Sequence, residues 1–153
     1  MTEILTTAIH WHGDRLDLLD QRKLPATESW WSISSAEETA EAIAAMAVRG
    51  APAIGITAAY GLVLAARSLG DEVRPGDLQP ARETLAASRP TAVNLQHALE
   101  RLDNAMDGHS GSDLVNALER EAEALHTEDL ERNRRLAQHG AHLLPANVRI
   151  YTH

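Results

Sequence analysis

A chain of 153 residues with 14 Lys and Arg against 22 Asp and Glu carries a net charge of −8, a surface that repels nucleic acid and anionic membrane. Apolar residues make up 44% of it but aromatics only 3%, with no Phe, so its core must be built from Ala, Leu, Ile and Val, as in close-packed helices. The lack of Cys removes disulfides, thiolate nucleophiles and Cys-ligated metals from these residues.

Met1-Thr2-Glu3-Ile4-Leu5 lacks the basic start and apolar run of a signal peptide. The apolar run Ala58 to Ala66 is broken by Gly61 and bounded by Arg67, too short to span a bilayer. A cytoplasmic protein with no membrane partner is expected.

Ile9-His10-Trp11-His12, a Gly13-Asp14 turn, Arg15 to Asp20 and, beyond Pro25, Ser29-Trp30-Trp31-Ser32-Ile33 predict three short strands in a small antiparallel sheet. Neighbouring strand residues face opposite ways, so one of Trp30 and Trp31 belongs to the core and the other points outward or to an interface. Ser35 with Glu38 forms a capping box and predicts a helix, whose apolar face is Ala40, Ile43, Ala44 and Ala47 and whose stop is Gly50.

Pro52 suits the first turn of a second helix. Ala53 to Leu69 is apolar or small on almost every face, the pattern of a buried central helix, and Gly55, Ala58, Ala59 and Gly61 allow other backbone to approach. Gly70-Asp71 ends it. A turn at Arg74-Pro75-Gly76-Asp77 precedes a helix from about Leu78 to Ala87, and Ser88-Arg89-Pro90-Thr91 is a second sharp break. Thr91 is a candidate cap for a helix Ala92 to Met106; after a loop at Asp107 to Ser112, a long helix runs from about Asp113 to Leu143, with Thr127 and Gly140 as points of interruption. Past Pro145, Val148 to Thr152 predicts a strand, which either opens a second domain or pairs with the N-terminal sheet.

Arg49 and Arg89 share a setting: each follows a helix and precedes a break and a new helix start. A helix start offers unpaired N–H groups and the positive end of the dipole, Gly50 and Ala51 leave access to them, and a guanidinium alongside can grip phosphate through two hydrogen bonds. Ordinary punctuation explains the same residues, because a dipole favours Arg near a helix end and a Gly stop before a Pro start is common.

Other residues carry less. His139 and His142, and His10 and His12, lack a third ligand at a signature spacing, so no metal site is assigned. Glu119 to Glu123 with Arg132, Arg134 and Arg135 reads as a solvated helix face, and Ser68, Ser88 and Ser110 have no nucleophile-elbow context.

Residues 36–60, ending in Met46-Ala47-Val48-Arg49-Gly50-Ala51-Pro52-Ala53-Ile54-Gly55-Ile56-Thr57-Ala58-Ala59-Tyr60, resemble the best-marked region of methylthioribose-1-phosphate isomerases, in the initiation factor 2B alpha/beta/delta-like superfamily. Ser88-Arg89-Pro90-Thr91-Ala92-Val93-Asn94-Leu95 matches a second stretch. Ile9-His10-Trp11, Leu18-Leu19-Asp20-Gln21-Arg22-Lys23-Leu24-Pro25 and, more weakly, Glu128-Asp129 with Asn133 and His139-Gly140-Ala141 also fit, in order along the chain.

The resemblance implies an α+β fold: residues 1–144 as an N-terminal domain (1–34 β, 35–144 mainly helical), and 145–153 as the first strand of a truncated Rossmann-like domain. It implies substrate contacts at Arg49, Gly50, Ala51 and Arg89, no cofactor, and a homodimer in the full-length protein. The implied reaction opens the ring of 5-methylthioribose 1-phosphate and moves hydrogen between C1 and C2, giving 5-methylthioribulose 1-phosphate in methionine salvage. The family's acid–base pair, a Cys and an Asp, is expected beyond the C-terminus, so no catalytic residue is assigned and the chain alone is expected to be inactive. The alternatives are an isomerase of another ribose phosphate and a non-catalytic regulatory or assembly module akin to initiation factor 2B subunits. Gln96-His97 departs from the bulky aromatics that relatives carry after Asn-Leu, either a tolerated change on a helix face or a mark of shifted substrate preference.

Overall fold

The computed structural model describes residues 8–145 and 147–151. Strands β1 (Ile9–Trp11), β2 (Leu16–Leu19) and β3 (Trp30–Ile33) form an antiparallel meander in the order β1-β2-β3. Register pairs Ile9 with Leu18 and Leu18 with Trp31, then Trp11 with Leu16 and Leu16 with Ile33, so these side chains share the face turned to the core. On the opposite face Trp30 stacks on His10 at 4.6 Å between ring centroids, while Trp31 packs on the core, the division expected of adjacent strand residues.

Five α-helices follow: α1 (Ala36–Ala44), α2 (Ala51–Leu69), α3 (Gln79–Ser88), α4 (Val93–Met106) and α5 (Gly111–Leu143), with a 3-10 turn at Pro75–Leu78 in front of α3. Sheet first, helices after: this is the expected α+β arrangement. At the start of α1 the Ser35 hydroxyl accepts the Glu38 N–H (3.1 Å), as in a capping box. The returning arm lands one residue early, because the Glu38 carboxylate takes the N–H and hydroxyl of Ser34 (2.7 and 3.1 Å).

The end of α1 corrects the sequence reading. Gly50 does not stop it; the helix closes at Ala45, and Met46 takes the left-handed conformation (φ 58°). The Met46 N–H then reaches Ile43 O (3.0 Å) and the Ala47 N–H reaches Ala42 O (2.9 Å), the paired bonds of a Schellman stop. With a methionine where glycine is usual, nothing local announced it.

Every residue of α2 from Ile54 to Ala66 is buried, with α1, α3, α4, α5 and β1 packed around it. By length and apolarity this helix also suffices to cross a bilayer, more than the run broken at Gly61 suggested, but 72% of its apolar window is buried by the domain itself. Leu62, Val63 and Leu64 each contribute about 1.5–3 kcal/mol by burial. An exposed ion pair contributes about 0–1 kcal/mol, so the α2 core outweighs the surface pairs.

The helix α5 is continuous through Thr127 and Gly140, 33 residues and about 50 Å long. Its first turns bury Leu114, Leu118 and Ala122 against α2 and α4, while residues 131–145 are all exposed, Leu136 at 71% and Leu143 at 85%. Beyond it, residues 148–151 lie exposed with no ladder partner among the described residues. Thr152 and His153 lie outside the described residues.

Candidate functional site

Arg49 stands on the turn between α1 and α2, exposed, its Nε–H directed at Met46 O (3.4 Å). Gly50 caps α2 with φ 102° and ψ 129°, a conformation closed to side-chain-bearing residues, and has no side chain with which to cap the N–H groups. Its carbonyl accepts the Ile54 N–H (3.0 Å), which leaves the N–H groups of Ala51 and Ala53 without an intrahelical acceptor; Pro52 has none to offer.

The second corner has the same build. Arg89 closes α3 and is half-buried, and its carbonyl accepts the Ala92 N–H (3.0 Å). Thr91 is not the cap of α4, contrary to expectation. The helix begins one residue later, Ala92 occupies the cap position, and a methyl group has no oxygen with which to satisfy the first N–H groups. Among the described residues neither Arg49 nor Arg89 has an acidic partner, whereas Arg22, Arg67, Arg82 and Arg101 are engaged in ion pairs.

Gly55 joins the two corners. A Cβ there would come within 2.6 Å of Asn94 O, so the second turn of α2 lies directly against the first turn of α4. Beside this contact opens a groove of about 370 Å³, walled by Pro52 and Ile56 of α2, Val93 and His97 of α4, and Leu125 and Asp129 of α5. None of Arg49, Gly50, Ala51 and Arg89 lines it; the first three stand at the start of α2, and Arg89 at the end of α3, three residues before the cap of α4. The groove was not legible in the sequence, because its walls come from three separated segments. Arg132, read as part of a solvated face, is exposed but borders it, and His97 does too.

Two clusters hold the groove walls in place. The Arg101 guanidinium forks onto Glu128 (2.8 and 3.0 Å) and also bonds Glu121, which ties α4 to α5, holds Arg101 above its ordinary pKa and keeps Glu128 below the usual carboxylate range. Tyr60 of α2 stacks on Trp11 at 4.8 Å, and its hydroxyl lies 3.3 Å from His126 Nδ1 of α5. Burial lowers the His126 pKa, and burial, helped by Glu123 and Glu119, raises that of Tyr60. The remaining histidine pair of the strands is occupied otherwise: His10 by Trp30, and His12 by Asp17, Nε2 to Oδ2 3.0 Å.

A family model described as the initiation factor 2 subunit family matches residues 47–153, from the first corner onward. A methylthioribose-1-phosphate isomerase from Alcanivorax borkumensis is 51% identical over 148 residues, 97% of this chain and 43% of the relative. The crystal structure of 5-methylthioribose 1-phosphate isomerase from Pyrococcus horikoshii OT3 superposes with a TM-score of 0.84 at 35% identity, covering 93% of this chain and 42% of that one. That of the translation initiation factor eIF-2B subunit delta from A. fulgidus gives 0.79 at 41% identity, covering 92% and 42%. The chain thus spans about 43% of the length of the curated relatives it matches.

Proposed function

Because the chain belongs to the initiation factor 2 subunit family, we propose that it is the N-terminal, phosphate-gripping part of an isomerase converting 5-methylthioribose 1-phosphate to 5-methylthioribulose 1-phosphate. One observation supports this above the others: two helix starts without side-chain caps, each beside an arginine with no acidic partner among the described residues, brought together by the Gly55–Asn94 contact. Open N–H groups and a free guanidinium are what a doubly charged phosphate ester needs. Arg49, the Gly50-Ala51 backbone and Arg89 are the contacts we assign to it.

The chemistry fits a division of labour. Moving hydrogen between C1 and C2 needs a positioned acid and base with tuned pKa values. These 153 residues contain no Cys, the acid–base partner that the resemblance implies, so we assign the chain binding and orientation rather than proton transfer. Residues 145–153 belong, in this reading, to a Rossmann-like second domain that completes the site and a cytoplasmic homodimer.

Calorimetric titration of the purified chain with 5-methylthioribose 1-phosphate tests the site. Arg49→Ala and Arg89→Ala should each weaken binding about 10- to 100-fold, the value of a lost charge-assisted hydrogen bond. Unchanged affinity in both would remove the assignment. Isomerisation by the 153-residue chain alone would refute the division of labour. The 41% identity to an initiation factor 2B subunit supports a second reading, a non-catalytic assembly module. That reading predicts no binding of the sugar phosphate by the wild-type chain.

A further inference from the structure

We infer that Asp20 is a positioning residue for the Arg49 corner: it locks the β2–β3 loop into the shape that clamps the backbone just ahead of the arginine. The inference rests on reading that corner as an anion site.

The Asp20 side chain is 0% exposed, and a carboxylate taken out of water must have all its acceptors occupied. Arg22 supplies most of what it needs, with Nε at 2.7 Å on one oxygen, Nη2 at 2.8 Å on the other, and its backbone N–H at 3.2 Å. Lys23 Nζ stands 3.8 Å away, and the Lys23 N–H returns to Asp20 O at 3.2 Å. The Arg22 guanidinium lies 5.0 Å over the Trp31 ring, which fixes the curled segment to β3.

That curl aims one backbone donor away from itself. The Gln21 N–H bonds Ala47 O at 2.9 Å. Ala47 sits one residue after the left-handed Met46 and two before Arg49, and its own N–H is held by Ala42 O. Ala47, two residues ahead of Arg49, is thereby gripped from both sides, by α1 and by the Asp20 loop. A buried ion pair returns little net stability, because desolvation offsets most of the attraction. Its consequence here is geometric: one loop conformation, and one place for Arg49.

The test uses the whole chain and 5-methylthioribose 1-phosphate, with Kd measured well below the melting temperature. Asp20→Asn, similar in size, should raise Kd about tenfold by displacing a contact residue. A stability control is Leu118→Ala, a core truncation with no bond to the corner, which should lower the melting temperature and change Kd by less than about twofold. In an Arg49→Ala background Asp20→Asn should add less than about twofold, since its effect passes through Arg49. If Asp20→Asn loses its fold by circular dichroism, Arg22→Gln, which removes the guanidinium fork, is measured in the same way. Unchanged Kd in the Asp20 variant, or a full additive loss on top of Arg49→Ala, overturns this inference while leaving the phosphate site intact. Unchanged Kd in Arg49→Ala overturns it too, and unchanged Kd in both Arg49→Ala and Arg89→Ala removes the phosphate site as well.

Discussion

The starts of α1 and of α2 face opposite tasks. At α1 the Ser35 hydroxyl occupies the Glu38 N–H, and the Glu38 carboxylate closes the backbone in front, so the helix end is satisfied by its own chain. At α2, and again at α4, the cap positions are Gly50 and Ala92, and among the described residues no side chain caps the first N–H groups. A closed start stabilises by about 1 kcal/mol; an open one forgoes that and leaves donors for a ligand. Arg49 and Arg89, neither with an acidic partner among the described residues, stand beside this open pair.

Closing the space between the open starts should have the largest effect. Gly55→Val would drive side-chain atoms into the Asn94 carbonyl, backbone that cannot swing aside; we expect about 3 kcal/mol of destabilisation and a melting temperature lower by about 10 °C. Differential scanning calorimetry reads it directly, and an unchanged melting temperature would mean that α2 and α4 do not meet there.

Acid titration probes the support of the Arg49 corner. The hydrogen bonds from Arg22 hold Asp20 down to about 2, below its unfolded value near 4. Because the folded pKa is depressed, this stabilisation is complete above about pH 4 and fades as pH falls toward about 2. Asp20→Asn should flatten that part of the stability–pH curve in chemical denaturation; a curve with the wild-type slope would count against the buried pair.

Opening the closed start gives a smaller change. Ser35→Ala should cost about 1 kcal/mol and leave sugar-phosphate affinity untouched. Loss of affinity in this variant would blur the distinction between the two kinds of start. The smallest and most pointed change runs the other way. Ala92→Ser should add about 0.5 kcal/mol of stability by capping α4, while weakening sugar-phosphate binding severalfold through competition for the same N–H groups. Tighter binding in Ala92→Ser would contradict an open start as the anion site.

Much of this was readable from local chemistry. Ser35, Pro52 and Gly70 mark helix ends because capping and φ restriction act within a few residues. The all-round apolarity of Ala53 to Leu69 required a central helix, and α2 is that helix. Two local signals misled. Gly50 pointed to a helix stop that Met46 performs in a conformation methionine seldom takes, and Thr91 pointed to a cap that passes to Ala92. Helix ends shift by a residue or two with the hydrogen bonds actually made, and at α1 those of Met46 and Ala47 close the helix early.

The candidate site divides along the same line. The two arginines, their breaks and the small residues beside them could be picked out one by one, since each corner is a short continuous segment. That the second turn of α2 lies against the start of α4, that a groove lined by Pro52, Val93 and Leu125 opens there, and that Gln21 of a β-loop holds Ala47 ahead of Arg49, follow from contacts between distant segments. Sequence alone determined the order of elements and the side-chain chemistry of each corner, because those are set by residues and their immediate neighbours. Tertiary structure decided which of those segments meet, because only packing of the helices around α2 brings separated backbones into contact.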